Sequence, residues 1–264
     1  MSEEEQMLTS ILGCSRTDLI LNRYNLDSDS AKAFDAMKYR RALGEPLQYI
    51  LGFVDFYGIK IFVDKRVLIP RPETELLAEL AIEKSKEIFK SGKDLKVLDV
   101  GTGSGNISIA IAKNVKCACV TAIDKSKAAL ELAAFNAKFN DVAGKINFMN
   151  IDFEKYSKSG SDKFDVIVSN PPYIPTKSIR YLSFEVRQEP RLALDGGRDG
   201  LRIIERIVEN SKEMLNEDGY LLMELGDNQE EAVIKMLEKN CGYKNIGFRK
   251  DYLGINRMII SQKA

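Results

Sequence analysis

Val97-Leu98-Asp99-Val100-Gly101-Thr102-Gly103-Ser104-Gly105-Asn106-Ile107 runs from an apolar stretch through a glycine-rich turn into a second apolar stretch. It reads as a buried strand that breaks on its glycines and continues as a helix. The pattern then repeats. Val120-Thr121-Ala122-Ile123, Ile146-Asn147-Phe148-Met149 and residues 164–169 and 220–225 read as strands, with two more near 245–250 and 257–261. Helical patterns cover residues 126–139, 200–215 and 229–239. This alternation predicts a doubly wound α/β sheet. In such sheets ligands bind outside the carboxyl ends of the strands.

The first 45 residues read differently, as short helices. Ser2 with Glu5 forms a capping box ahead of Met7, Leu8, Ile11 and Leu12, and Gly13 ends that helix. Ser15 with Asp18 opens a second, and Asp27 or Ser28 a third that runs to Arg40-Arg41 and stops at Gly44-Glu45-Pro46. Residues 47–69 are aromatic, β-branched and punctuated by glycine, which suggests a hairpin. Arg71-Pro72-Glu73-Thr74-Glu75 then places proline at a first helical position and acids in a first turn. That helix is expected to run to about Lys90 and close at Ser91-Gly92. Three parts follow: a helical docking domain over 1–45, a β-hairpin linker over 46–70 and the α/β domain over 71–264.

Lys+Arg and Asp+Glu balance at 39 each, so no overall field attracts nucleic acid or an anionic membrane. The start, Met1-Ser2-Glu3-Glu4-Glu5, is acidic where a signal peptide would be basic, and no apolar run approaches the roughly 20 residues of a membrane span. A cytoplasmic protein is expected. The 4 cysteines have no CxxC spacing, and Cys117 and Cys119 read as small core residues of one strand face. Histidine is absent. Its absence excludes Ser-His and Cys-His nucleophiles, most zinc sites and the usual general base, and no metal is expected.

Chemistry-bearing residues recur at successive strand ends. The turn Gly101, Thr102, Gly103, Ser104, Gly105 has GxGxG spacing, and Asn106 stands where a dinucleotide fingerprint would need glycine. The spacing favours S-adenosylmethionine over NAD. Asp124 ends the next strand, where a carboxylate can accept both ribose hydroxyls, and it can also cap the helix near Ser126. Asp152 and Phe153 follow the third strand, as an adenine site or as a loop acid and a core ring. Asn170-Pro171-Pro172-Tyr173 closes the fourth. There an amide oxygen, carbonyls pinned by prolines and a flat ring suit the holding of a planar NH2 group.

These residues resemble a class I S-adenosylmethionine-dependent methyltransferase that acts on a planar amino or amide nitrogen. The blocks from Arg40 to Ile50, Phe56-Tyr57-Gly58, Val67 to Glu75 and Glu189 to Gly197 are similar to the HemK/PrmC proteins. The resemblance implies a Rossmann-like domain with a mixed seven-stranded sheet. It also implies methylation of the glutamine side-chain amide in the Gly-Gly-Gln motif of peptide chain release factors, with S-adenosyl-L-homocysteine as second product. Asn170, Pro171 and Tyr173 become the expected catalytic residues. Gly101 to Gly105, Asp124, Asp152, Phe153 and Asn170 become the cofactor site, and Asn170 to Tyr173 the substrate site. Release factors are the expected partners, with neither membrane nor direct nucleic-acid binding.

If the Asn170 side-chain oxygen and the Pro171 carbonyl each accept one N–H, the substrate nitrogen is aligned for attack and no general base is needed. The stretch from Phe184 to Gly200 has the composition of a mobile flap or a plain surface connection. Three other readings share parts of this pattern. An adenine-N6 nucleic-acid methyltransferase would want a basic groove. Methylation of a ribosomal glutamine would use the same catalytic residues. A non-enzymatic binding module would have no use for the amide clamp.

Overall fold

The computed structural model describes residues 1–22, 26–89, 95–160 and 162–264. Helices α1 (Glu3–Leu12), α2 (Arg16–Asn22) and α3 (Ser28–Ala42) form the N-terminal unit. Ser2 and Glu5 make the reciprocal capping box, and Gly13 ends α1 with a left-handed φ of 60°. The Ser15 hydroxyl accepts the Asp18 N–H, and Asp27 caps α3 through the N–H groups of Asp29 and Ser30.

The hairpin begins later than its composition suggested. Leu47–Leu51 forms a one-turn helix, α4, and only β1 (Phe53–Phe56) and β2 (Ile59–Phe62) are paired. Burial of Leu47, Tyr49 and Ile50 decides this against strand propensity. The Tyr49 hydroxyl donates to the Val67 carbonyl at 2.6 Å. Tyr49, Phe56, Ile59, Ile61, Val67 and Ile69 lie in the same core as helix α5 (Pro72–Phe89), so this segment is packed into the α/β body. The expected close of α5 at Ser91-Gly92 lies outside the described residues.

From there the chain builds β3 (Leu95–Val100), α6 (Asn106–Asn114), β4 (Ala118–Asp124), α7 (Lys127–Phe139), β5 (Ile146–Asn150), α8 (Phe153–Ser159) and β6 (Phe164–Ser169). A short pair follows, β7 (Ile174–Pro175) and β8 (Asp195–Gly197), then α9 (Arg202–Met214), β9 (Leu215–Glu224), α10 (Glu230–Lys239), β10 (Tyr243–Lys250) and β11 (Asn256–Lys263). The sheet order is β10-β11-β9-β6-β3-β4-β5, mixed and seven-stranded, with β11 antiparallel to both neighbours. Side chains alternate across it. Val97, Val166 and Leu222 enter the core under α5 and α6, while Leu98, Ile167, Leu221 and Met223 enter the core with α9 and α10.

After β3 the chain adds β4 and β5 on one side, then crosses to place β6 on the other. The β3–β6 boundary is therefore the switch point where such sheets bind ligands. Ser169 braces it by donating to the Val100 carbonyl at 2.7 Å. Helix α8 and the β7–β8 pair escaped the sequence reading, because each is short and α8 buries only Tyr156.

Residues 184–200 are held as well. Two 3-10 turns there, Val186–Gln188 and Arg191–Ala193, lead into β8. Gln188 donates to the Gly44 carbonyl at 2.7 Å, and Arg41 pairs with Glu185 at 2.8 Å. The buried Glu189 carboxylate accepts the Ile69 N–H at 2.9 Å and binds the Arg71 guanidinium. Gly44 has φ +83°, and a Cβ there would stand 2.5 Å from the Phe184 ring. The left-handed backbone favours glycine here, and its lack of a side chain leaves room for that ring.

Candidate active site

The carboxyl ends of β3, β4 and β6 and the loop after β5 open on one cavity of about 1200 Å³, counted with its mouth. Gly101, Thr102, Gly103, Ser104, Asp124, Asp152, Phe153, Asn170 and Pro172 line it. Pro70 and Thr74 close it from the start of α5, and Pro190, Leu192 and Ala193 from the loop before β8. The arrangement therefore gathers the residues expected from four strand ends. Gly105, Pro171 and Tyr173 lie outside its lining.

Each part of the glycine turn has its own cause. Gly101 and Gly103 have φ of +74° and +54°, and a Cβ on Gly101 would meet no atom within 4 Å, so its backbone lies open. Gly105 differs, because a Cβ there would press on Ala133 of α7 at 3.1 Å. Its glycine serves helix packing. Asp99, 1% exposed, accepts from the Thr102 hydroxyl at 2.7 Å and the Ser108 hydroxyl at 2.6 Å, fastening the turn to α6. Burial lifts its carboxyl to about 6 against the pull of those two hydroxyls. Asn136 of α7 donates to the Ser104 carbonyl and exchanges hydrogen bonds with the backbone of Phe62, joining the turn to the hairpin.

Asp124 accepts the Gly103 N–H at 3.0 Å and the Ser126 N–H at 2.8 Å. Burial raises its carboxyl, opposed by those backbone donors. Capping of α7 falls to Ser126, whose hydroxyl accepts the Ala129 N–H, so Asp124 is not the cap. Asp152 does cap α8, through Glu154, while also lining the cavity. It is thus a helix cap rather than a plain loop acid, and its side of the cavity also carries Phe153.

Register places the amide motif. Ser169 of β6 pairs with Met223 of β9, so Asn170 and Glu224 follow side by side at adjacent strand ends. The Asn170 Nδ2 donates to Thr74 Oγ1 at 3.0 Å, and Thr74 Oγ1 donates to Glu224 Oε2 at 2.7 Å. The other Glu224 oxygen accepts the Tyr173 hydroxyl at 3.0 Å. Tyr173 and Glu224 both line a second cavity, which Asn170 and Pro172 do not line. Burial raises its phenol, with the Glu224 charge adding to the effect. Sequence reasoning missed Thr74 and Glu224. In the sequence Thr74 belongs to a helix start within the block Val67 to Glu75, and Glu224 to a strand, and no local signal pairs the two.

Two family models match the chain: a PrmC N-terminal domain over residues 3–52 and a methyltransferase domain over residues 91–263. A release factor glutamine methyltransferase of Thermodesulfovibrio yellowstonii is 36% identical over 99% of this chain and 92% of its own length. One from Streptococcus pneumoniae is 39% identical over 95% of this chain and 88% of its own. The chain belongs to the release factor glutamine methyltransferase family. Among solved structures, a ribosomal protein L11 methylase from Lactobacillus delbrueckii subsp. bulgaricus superposes with a TM-score of 0.53 at 25% identity, over 77% of this chain and 86% of that one. The hMettl16 catalytic domain reaches a TM-score of 0.59 at 15% identity, over 90% and 83% of the two chains, a likeness of fold. In this release factor glutamine methyltransferase family member, the mixed seven-stranded sheet is therefore a methyltransferase sheet.

Proposed function

We propose that this chain transfers a methyl group from S-adenosyl-L-methionine to the side-chain amide nitrogen of the Gly-Gly-Gln glutamine in peptide chain release factors. The carrying observation is the state of Asn170. Its Nδ2 is held by Thr74, and its Oδ1 has no partner among the described residues, at the wall of the cavity that the glycine turn floors. An amide fixed in this way offers an acceptor, which is what an NH2 group requires. Pro171 is buried, and its carbonyl accepts no hydrogen bond among the described residues. It is assigned as the second acceptor because it directly follows Asn170 and buried carbonyls rarely go unpaired, although Pro171 itself does not line the cavity.

The cavity suits S-adenosyl-L-methionine. Gly101 and Gly103 leave backbone open to it, Asp124 offers carboxylate lone pairs beside them, and Asp152 with Phe153 forms the far wall. That molecule, when bound, supplies a positively charged sulfonium whose methyl is the electrophile. The chain's own residues supply alignment. Two acceptors on the substrate NH2 fix its plane, and such alignment removes several kcal/mol of barrier, up to about 7–11 in ideal cases. No oxyanion forms, and the proton of the methylated amide is acidic enough to leave to water. Chemistry of this kind needs no histidine, and the chain has none.

The helical unit over 1–45 is assigned to docking the release factor, with the segment 46–70 joining it to the transferase domain over 71–264. The cytoplasm is the assigned location. No described helix is long and apolar enough to cross a membrane. The direct test is mass spectrometry of a release factor incubated with this protein and S-adenosyl-L-methionine. One added methyl on the Gly-Gly-Gln glutamine is expected. Methyl on another residue, or none, would overturn the reading.

A further inference from the structure

We infer that Thr74 and Glu224 are positioning residues that decide which end of the Asn170 amide faces the cavity, through a hydrogen-bond chain of fixed direction. The inference rests on the reading of Asn170 as the acceptor for the substrate nitrogen. An asparagine amide is nearly symmetric in shape but opposite in function at its two ends. With Oδ1 toward the cavity it accepts from an NH2 group. Turned over, it would present its own NH2 to the substrate's, and donor would face donor.

Proton direction settles the choice. Glu224, 1% exposed, ends β9 beside Asn170; burial raises its carboxyl, the Thr74 and Tyr173 hydroxyls and the Arg257 charge oppose that rise, and in its ionised form it only accepts. It receives the Tyr173 hydroxyl on Oε1 and the Thr74 hydroxyl on Oε2 at 2.7 Å. Thr74 has one proton, and that proton is committed to Glu224. Its oxygen can then only accept from Asn170, so the amide must offer Nδ2, at 3.0 Å, and leave Oδ1 free. Thr74 is 2% exposed, so water does not substitute for it readily. The start of α5 and the ends of β6 and β9 thus cooperate on a single torsion.

The test uses the full-length protein and a release factor at saturating S-adenosyl-L-methionine. Thr74→Val is nearly isosteric but removes the hydroxyl, and Thr74→Ser restores it. Glu224→Gln keeps the shape and introduces a donor that can reverse the chain. The expected result is a fall in kcat of about tenfold or more for Thr74→Val and Glu224→Gln, with release-factor KM and S-adenosyl-L-methionine affinity within about threefold, and Thr74→Ser near wild type. In an Asn170→Ala background, Thr74→Val should then change kcat no further. Should Thr74→Val fail to fold, Glu224→Gln against wild type carries the comparison. Near-wild-type kcat in both variants beside an inactive Asn170→Ala would overturn the positioning role alone. An active Asn170→Ala would overturn the clamp reading, and the positioning role with it.

Discussion

Asp124 accepts the backbone N–H of Gly103 at 3.0 Å, which ties the end of β4 to the glycine turn after β3. One carboxylate therefore shapes the turn and stands in the cavity it forms. Asp124→Ala should weaken S-adenosyl-L-methionine binding by about 10- to 100-fold, the loss of one or two charge-assisted hydrogen bonds. Turnover at saturating S-adenosyl-L-methionine should suffer much less. Calorimetry with that ligand and a rate at saturation separate the two effects, and unchanged affinity would remove Asp124 from the site.

Glu189 holds the loop before β8 against residues 69–71 through the Ile69 N–H and the Arg71 guanidinium. Its side chain is 1% exposed and that of Arg71 32%. Removing the carboxylate of a fully buried pair costs about 3–5 kcal/mol, and the partly exposed arginine lowers this to roughly 2–3. Glu189→Ala should lose that much stability in urea unfolding. It should also raise the KM for release factor, because Pro70 and Pro190 on either side of the pair both wall the cavity.

Asp99 gives a pH prediction of definite sign. Its carboxyl lies near 6 in the folded chain against an ordinary 3.8, so the folded state holds a proton that the unfolded state has already lost. Its contribution to stability is therefore present below about 4 and is lost as pH rises to about 6. Unfolding free energies of wild type minus Asp99→Asn, measured between pH 4 and pH 8, should fall from about 4 to about 6 and level off above that. A difference that rises with pH would contradict the assignment.

The fold was legible where sequence period and burial agree. The strand at Val97, the turn at Gly101 and the caps at Ser2 and Asp27 all sit where local chemistry put them. Leu47 to Leu51 was not legible, since burial of Tyr49 and Ile50 overrode a β-rich composition. In the site, Asn170 and Asp124 stand at strand ends that the α/β alternation itself predicts. Thr74 and Glu224 required register, because a helix start 96 residues before Asn170 meets it only once the sheet is assembled. Gly105 shows the opposite case, a motif residue whose constraint turns out to be contact with Ala133.

The central claim is that the Asn170 side-chain oxygen holds the reacting nitrogen. Its most direct test is the methylation rate of a release factor by Asn170→Ala at saturating S-adenosyl-L-methionine, with affinity for that ligand followed by calorimetry. The account predicts a rate lower by about 100-fold or more with affinity nearly intact, as for other interactions made chiefly in the transition state. A near-wild-type rate would contradict it.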